Sequence, residues 1–80
     1  MNITLRAAAP EDAAAVMDVM HAAFDPRYGE AWTRAQLMTL FAVPGTRLTL
    51  ASCDGTAVGF YAARLAGPES ELLLLGVIPA

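Results

Sequence analysis

The sequence contains no lysine, and its five arginines stand against eight acidic residues, for a formal net charge of −3. Without a basic stripe there is no electrostatic footprint for a nucleic-acid backbone or an anionic lipid surface, so neither is an expected partner. Cysteine is nearly missing as well. Cys53 stands alone, which rules out an internal disulfide, and no Cys/His cluster has the spacing of a metal site. A single strand cysteine of this kind is expected to fill core as a buried free thiol. Long hydrophobic runs are also absent: the longest, Leu72 to Ile78, falls far below the ~18 residues needed to span a bilayer. The opening Met1-Asn2-Ile3-Thr4-Leu5-Arg6 has no basic region followed by an apolar stretch, so it does not read as a secretory signal. A cytoplasmic protein is the expectation.

Eighty residues allow one domain, spanning residues 1–80, and the core that such a chain builds alone is small. Yet 56% of the residues are apolar, a high share for a small domain that must also present a polar exterior. Part of that apolar surface is expected to meet a cover from elsewhere.

Along the chain, Ile3 and Leu5 alternate with Thr4 and Arg6, the period of a half-buried strand, β1, over residues 2–7. Pro10-Glu11-Asp12 supplies a proline fit for a first helical turn and two acids that suit the positive end of a helix dipole. Behind it Ala13, Val16, Met17, Met20 and Phe24 form one apolar face of a helix, α1, ending near Asp25-Pro26. Residues 25–32 follow neither period and read as an ordered connection with binding duties. Thr33 and Gln36 then make a capping box, and Trp32 with Leu37 occupies the places of a hydrophobic staple. The helix they start, α2, buries Leu37, Leu40 and Phe41 and stops at Pro44-Gly45. Two strand-like runs, β2 over Arg47–Cys53 and β3 over Thr56–Leu65, flank Asp54-Gly55, a dipeptide suited to a two-residue type I′ hairpin. Residues 66–70 turn the chain into the last strand, β4, over Glu71–Val77.

Leu72, Leu73, Leu74 and Leu75 place leucine on both faces of β4, the pattern of a strand buried on each side. Two helices can cover one face of the sheet, and no element remains for the other. A leucine-rich edge strand is an aggregation hazard unless something covers it. The expectation is a partner chain or further sequence in that place.

The order β-α-α-β-β-β resembles the N-terminal half of the GNAT acetyltransferases. Arg6-Ala7-Ala8-Ala9-Pro10-Glu11-Asp12 is similar to the family's opening, Asp54-Gly55 followed by Val58-Gly59-Phe60 to its second hairpin, and Leu75-Gly76-Val77-Ile78-Pro79 to the end of its fourth strand. Ala23-Phe24 followed by Trp32-Thr33 and a helix is similar to the bacterial ribosomal-protein-alanine acetyltransferases within the family. The resemblance implies an α/β protein with the N-terminal half of the GNAT fold, β1-α1-α2-β2-β3-β4, a mostly antiparallel sheet and the C-terminal half missing. The implied function is acetyl transfer from acetyl-CoA to a primary amine, a protein N-terminus such as that of a ribosomal protein first and a small-molecule amine second. The family's pyrophosphate-binding loop follows this strand and is not within the 80 residues, so the chain by itself is expected to be inactive. A third reading, from another class, is a non-enzymatic α/β module that pairs its last strand with a partner.

Acetyl transfer from a thioester needs an amine with a free lone pair, a donor for the carbonyl oxygen as it gains charge, and an acid for the departing thiolate. The resemblance places the cofactor on Leu75, Gly76 and Val77, where a strand bulge frees backbone groups. On its own terms Gly76 marks a bulge or close approach, or simply relieves crowding. Glu71 is the family's candidate general base, or a solvated turn residue beside Glu69. Tyr28 and Trp32 are candidates to line the acceptor groove, although the staple also explains Trp32. His21 sits three residues after Asp18 and reads as a surface contact. No metal is expected, and no serine or cysteine carries a nucleophile motif.

Overall fold

Among the described residues, a sheet of four strands carries two helices on one face and leaves the other face open. The structure is a computed structural model that describes residues 2–24, 29, 31–66 and 68–78. The elements are β1 (Ile3–Ala7), a 3-10 turn over Pro10–Asp12, α1 (Ala13–Ala23), α2 (Arg34–Ala42), β2 (Thr46–Cys53), β3 (Thr56–Ala66) and β4 (Glu69–Val77). Every neighbouring pair is antiparallel and the spatial order is β1-β2-β3-β4, the chain order itself.

The local signals in the sequence act as expected at two places. Asp54 and Gly55 have φ of 49° and 87°, the pair of positive values a type I′ turn requires. At α2 the Gln36 N–H donates to Thr33 Oγ1 at 3.1 Å and the Thr33 N–H donates to Gln36 Oε1 at 2.8 Å, a complete capping box. Pro10-Glu11-Asp12, expected as the first turn of α1, forms a 3-10 turn ahead of it, and this turn is tied back to β1. Arg6 donates from both guanidinium nitrogens to the Asp12 carboxylate, each at 2.8 Å, and the Ala9 N–H donates to the same carboxylate at 2.8 Å. This fork holds the start of α1 against the end of β1 and pulls the Asp12 carboxyl far below its usual range, chiefly through the Arg6 hydrogen bonds.

The core lies wholly between the helices and one sheet face. Val16, Val19 and Met20 of α1, Leu37 of α2, Leu48 and Leu50 of β2, and Phe60 and Ala62 of β3 are buried together. Register explains which strand residues join them: Leu48 lies opposite Ala62 and Leu50 opposite Phe60, so all four point the same way. Val19 joins this face although the helical stripe was drawn through Met20 and Phe24. α1 stops at Ala23, and Phe24 is extended at φ −117° and ψ 125°, earlier than the expected end near Asp25.

Several expectations change. All five residues of β1 are exposed, because pairing Ile3 with Cys53 and Leu5 with Ala51 turns both apolar side chains to the open face. Cys53 shares that face and is half-buried, so it does not fill core. Glu69 and Ser70, expected in a turn, are the first residues of β4, since the β3–β4 hairpin extends to Ala66 opposite Glu69. The four leucines of β4 also divide differently. Ala62 pairs with Leu74 and Ala63 with Leu72, which leaves Leu73 as the extra residue of a bulge. Leu73 and Leu74 thus both pack on the core, while Leu72 (61% exposed), Leu75 (54%) and Val77 (61%) face outward. With Ile3, Leu5, Tyr61 and Leu65 they make an open apolar face.

Two outcomes test this one-sided core. Leu37→Ala should cost about 2–5 kcal/mol in urea denaturation because its side chain is fully buried; Leu72→Ala should stay within about 0.5 kcal/mol. Asp12→Asn should lower the urea midpoint at pH 7. A depressed carboxyl contributes stability above its unfolded pKa of about 4 and loses it as pH falls toward the folded value. The gap between Asp12→Asn and the unaltered chain should therefore narrow steadily in titrations carried below pH ~4.

Candidate functional site

Antiparallel pairing fixes where the backbone groups of β4 point. The Ile78 N–H donates to the Val58 carbonyl at 2.9 Å, so Ile78, Gly76 and Leu74 turn their backbone groups toward β3. Leu75 and Val77 alternate with them and turn N–H and C=O groups to the other side. Among the described residues no strand pairs with that side of β4. The end of β4 therefore presents a short ladder of backbone donors and acceptors.

Gly76 sits on the opposite, helix-facing side of the same segment. A Cβ built there would lie 2.8 Å from Phe60 Cε1 and 3.2 Å from Phe24 Cε2. Two aromatic rings occupy the space that any side chain would take, so of the readings open from sequence, close packing is the one that the contacts explain. The bulge on the β3 side falls at Leu73, and Leu74 to Val77 pair with β3 regularly.

Phe24 has a second surface. Together with Met17, His21, Gly29, Ala31, Trp32, Thr33 and Arg34 it lines a cleft of about 520 Å³ between the end of α1 and the start of α2. Trp32, half-buried against the core cluster, is thus both the staple residue and a wall of this cleft. Tyr28, the other expected acceptor contact, lies outside the described residues. Sequence reading passed over Met17, His21 and Phe24 as a lining. Their spacing of four and three residues puts them on one helical stripe, which is the signal that was available.

Glu71 is placed elsewhere. It lies opposite Arg64 in the β3–β4 register, and Arg64 Nη2 donates to Glu71 Oε2 at 3.0 Å on an exposed surface. It lies five positions before Gly76, about 16 Å along an extended strand. Phe24 touches the space beside Gly76 and also lines the cleft with Trp32, while Leu75, Val77 and Glu71 are not among the residues that line it. Among the described residues no group of three or more His, Cys, Asp or Glu side chains is placed to hold a metal ion. No helix among them is long and apolar enough to cross a membrane.

With this geometry in view, the fold can be set beside solved structures. The PaiA N-acetyltransferase of Thermoplasma acidophilum, solved with coenzyme A, superposes with a TM-score of 0.81 at 21% identity, over 99% of this chain and 60% of its own. The ribosomal-protein-alanine N-acetyltransferase of Escherichia coli superposes with a TM-score of 0.82 at 14% identity, over 98% of this chain and 47% of its own. An acetyltransferase from Thermus thermophilus gives 0.73 at 28% identity, over 96% and 56%. The fold is a partial GNAT fold, and the chain spans roughly half to three-fifths of the length of these structures. No protein-family model matches the sequence, and no curated protein does.

The ring-filled notch at Gly76 makes a direct prediction. Gly76→Ala should destabilise the chain by about 1–3 kcal/mol in urea or thermal unfolding, because Phe60 or Phe24 must move to admit the methyl group.

Proposed function

We propose that these residues form part of a GNAT N-acetyltransferase domain that transfers acetyl from acetyl-CoA to a primary amine, a protein N-terminus such as a ribosomal-protein alanine being the first candidate. The observation that carries the proposal is the backbone edge at Leu75 and Val77, unpaired among the described residues, in a fold shared with solved acetyltransferases. The neighbour solved with coenzyme A supports acetyl-CoA as donor, and the ribosomal-protein-alanine enzyme supports the acceptor. The cytoplasm is the setting proposed with it.

In this reading the pantetheine arm lies along the edge of β4 and takes its amide hydrogen bonds from Leu75 and Val77. The acceptor amine, neutral and held in the cleft against Trp32, attacks the thioester carbonyl carbon. The oxygen that gains charge accepts a hydrogen bond from a β4 backbone N–H, a donor that needs no reorganisation because the strand holds it. Collapse of the tetrahedral species breaks the carbon–sulfur bond and releases the thiolate, which takes up a proton as the new amide forms. Tyr28 extends the acceptor groove in this proposal. Glu71 is its candidate base; the distance from Gly76 and the ion pair with Arg64 both count against a direct role.

The rival reading, a binding module that adds a partner strand to β4, draws on the same edge and on the open apolar face. Amide NMR during titration with coenzyme A to millimolar concentration separates the two. Acetyltransferase ancestry predicts shifts centred on Leu75, Gly76 and Val77, whereas unshifted β4 amides would remove the proposal's main support. Calorimetry should show no micromolar complex of residues 1–80 with acetyl-CoA, since the family's pyrophosphate loop is not among them.

A further inference from the structure

β1 is the other edge of the sheet, opposite β4. All five of its residues are exposed, and among the described residues it pairs with β2 alone. The bonds that flank it fix which groups face outward. The Asp54 N–H donates to the Asn2 carbonyl at 3.0 Å and the Ala8 N–H donates to the Leu48 carbonyl at 2.8 Å, so by alternation Asn2, Thr4, Arg6 and Ala8 turn their backbone groups to β2. Ile3, Leu5 and Ala7 turn theirs away from the sheet. Their side chains stand on the open face, with Ile3 53% and Leu5 63% exposed. Natural edges are commonly blunted by lysine, proline or a bulge, and β1 has none of these: residues 2–7 hold no proline and no lysine, and the strand pairs with β2 without a register shift. Arg6, its one charge, lies on the helix-facing side beside Leu50 and is held by Asp12 in two hydrogen bonds of 2.8 Å.

From this arrangement we infer that the outer edge of β1 is a self-association surface, and that its partner is β1 of a second copy of this chain, antiparallel and in register about Leu5. The register is what selects a second copy. With a two-fold axis at Leu5, Leu5 faces Leu5, Ile3 faces Ala7 and Thr4 faces Arg6 of the other copy, and every outward N–H and C=O of Ile3, Leu5 and Ala7 is paired. Apolar side chains then meet on one face, and no charge stands opposite a like charge. Neighbouring registers lose this match. Moving the axis to Arg6 sets the two arginines opposite each other, and moving it to Thr4 carries Ala7 past Ile3, the first residue of the strand. β4 lacks the same symmetry, because the bulge at Leu73 breaks its alternation and Glu69 and Glu71 add charge at one end. The inference is independent of the acetyltransferase reading, which uses the β4 edge. A strand of five residues offers an interface well under the ~1,200 Å² of stable complexes, so the dimer is weak and reversible.

Sedimentation equilibrium should show the average mass rising from monomer toward dimer between about 20 μM and about 1 mM. In a sample that mixes isotope-labelled and unlabelled copies, NMR should give an intermolecular contact between the Hα atoms of Thr4 and Arg6, which face each other without hydrogen bonds and so lie close. Amide exchange at Ile3, Leu5 and Ala7 should slow by about twofold or more over the same rise in concentration, while Leu75 and Val77 exchange as before. Leu5→Lys sets two ammonium groups across the axis and should weaken association by about tenfold or more. Leu75→Lys, on the same open face beside the other edge, should leave it unchanged. A mass that stays monomeric to about 1 mM would overturn the inference. So would association lost in Leu75→Lys, whether or not Leu5→Lys also loses it, since that points to the β4 edge or the open face as a whole. Association without the Thr4–Arg6 contact counts against it equally, and that measurement needs no variant, so it decides the matter if Leu5→Lys fails to fold.

Discussion

Phe24 and Phe60 close over Gly76, and much of the molecule depends on that contact being possible. Phe60 belongs to the centre of the sheet and is held in the core with Leu50 and Ala62. Phe24 is the first residue past α1, turned extended so that its ring reaches across to β4. With a side chain at Gly76 the two rings would be forced apart, and the end of α1 would lose its seat on the last strand. The glycine thus couples the helical layer to the edge of the sheet. It does so in the strand segment where the backbone groups of Leu75 and Val77 point away from β3.

That coupling produces an asymmetric molecule. On one face, two short helices cover Leu48, Leu50, Phe60 and Ala62, and among the described residues no polar or charged one is buried. On the other, apolar side chains from β1, β3 and β4 stand in the open. The bulge at Leu73 sharpens the contrast by sending two successive leucines into the core and leaving Leu72 and Leu75 outside.

How much of this could be read from sequence varied with the range of the interaction. Asp54-Gly55 and the Thr33–Gln36 box were legible because each is a local requirement, a positive φ or a reciprocal pair of hydrogen bonds three residues apart. The stripe of α1 was legible for the same reason, apart from Val19. The direction of β1 was not: alternation predicts that one side differs from the other, but only the register with β2 decides which side meets the helices. The leucines of β4 misled in a related way, since a bulge breaks the period that sequence reading relies on. At Gly76 the sequence left a bulge, a close approach and relief of crowding open, and the ring contacts match the last. Its cause, a ring from residue 24 fifty-two positions away, is a tertiary contact with no local signature. Glu71 looked like a strand-start acid of functional interest, and its register partner Arg64 became visible only once β3 and β4 were paired.

The central claim is that the end of β4 is a regular strand with one side bound to β3 and the other side free. Hydrogen exchange at single-residue resolution tests it most directly. The structure predicts alternation, with slow exchange at Leu74, Gly76 and Ile78 and fast exchange at Leu75 and Val77. Uniform protection along Leu74 to Ile78, or its loss at all of them, would contradict the free edge on which the proposed cofactor site depends.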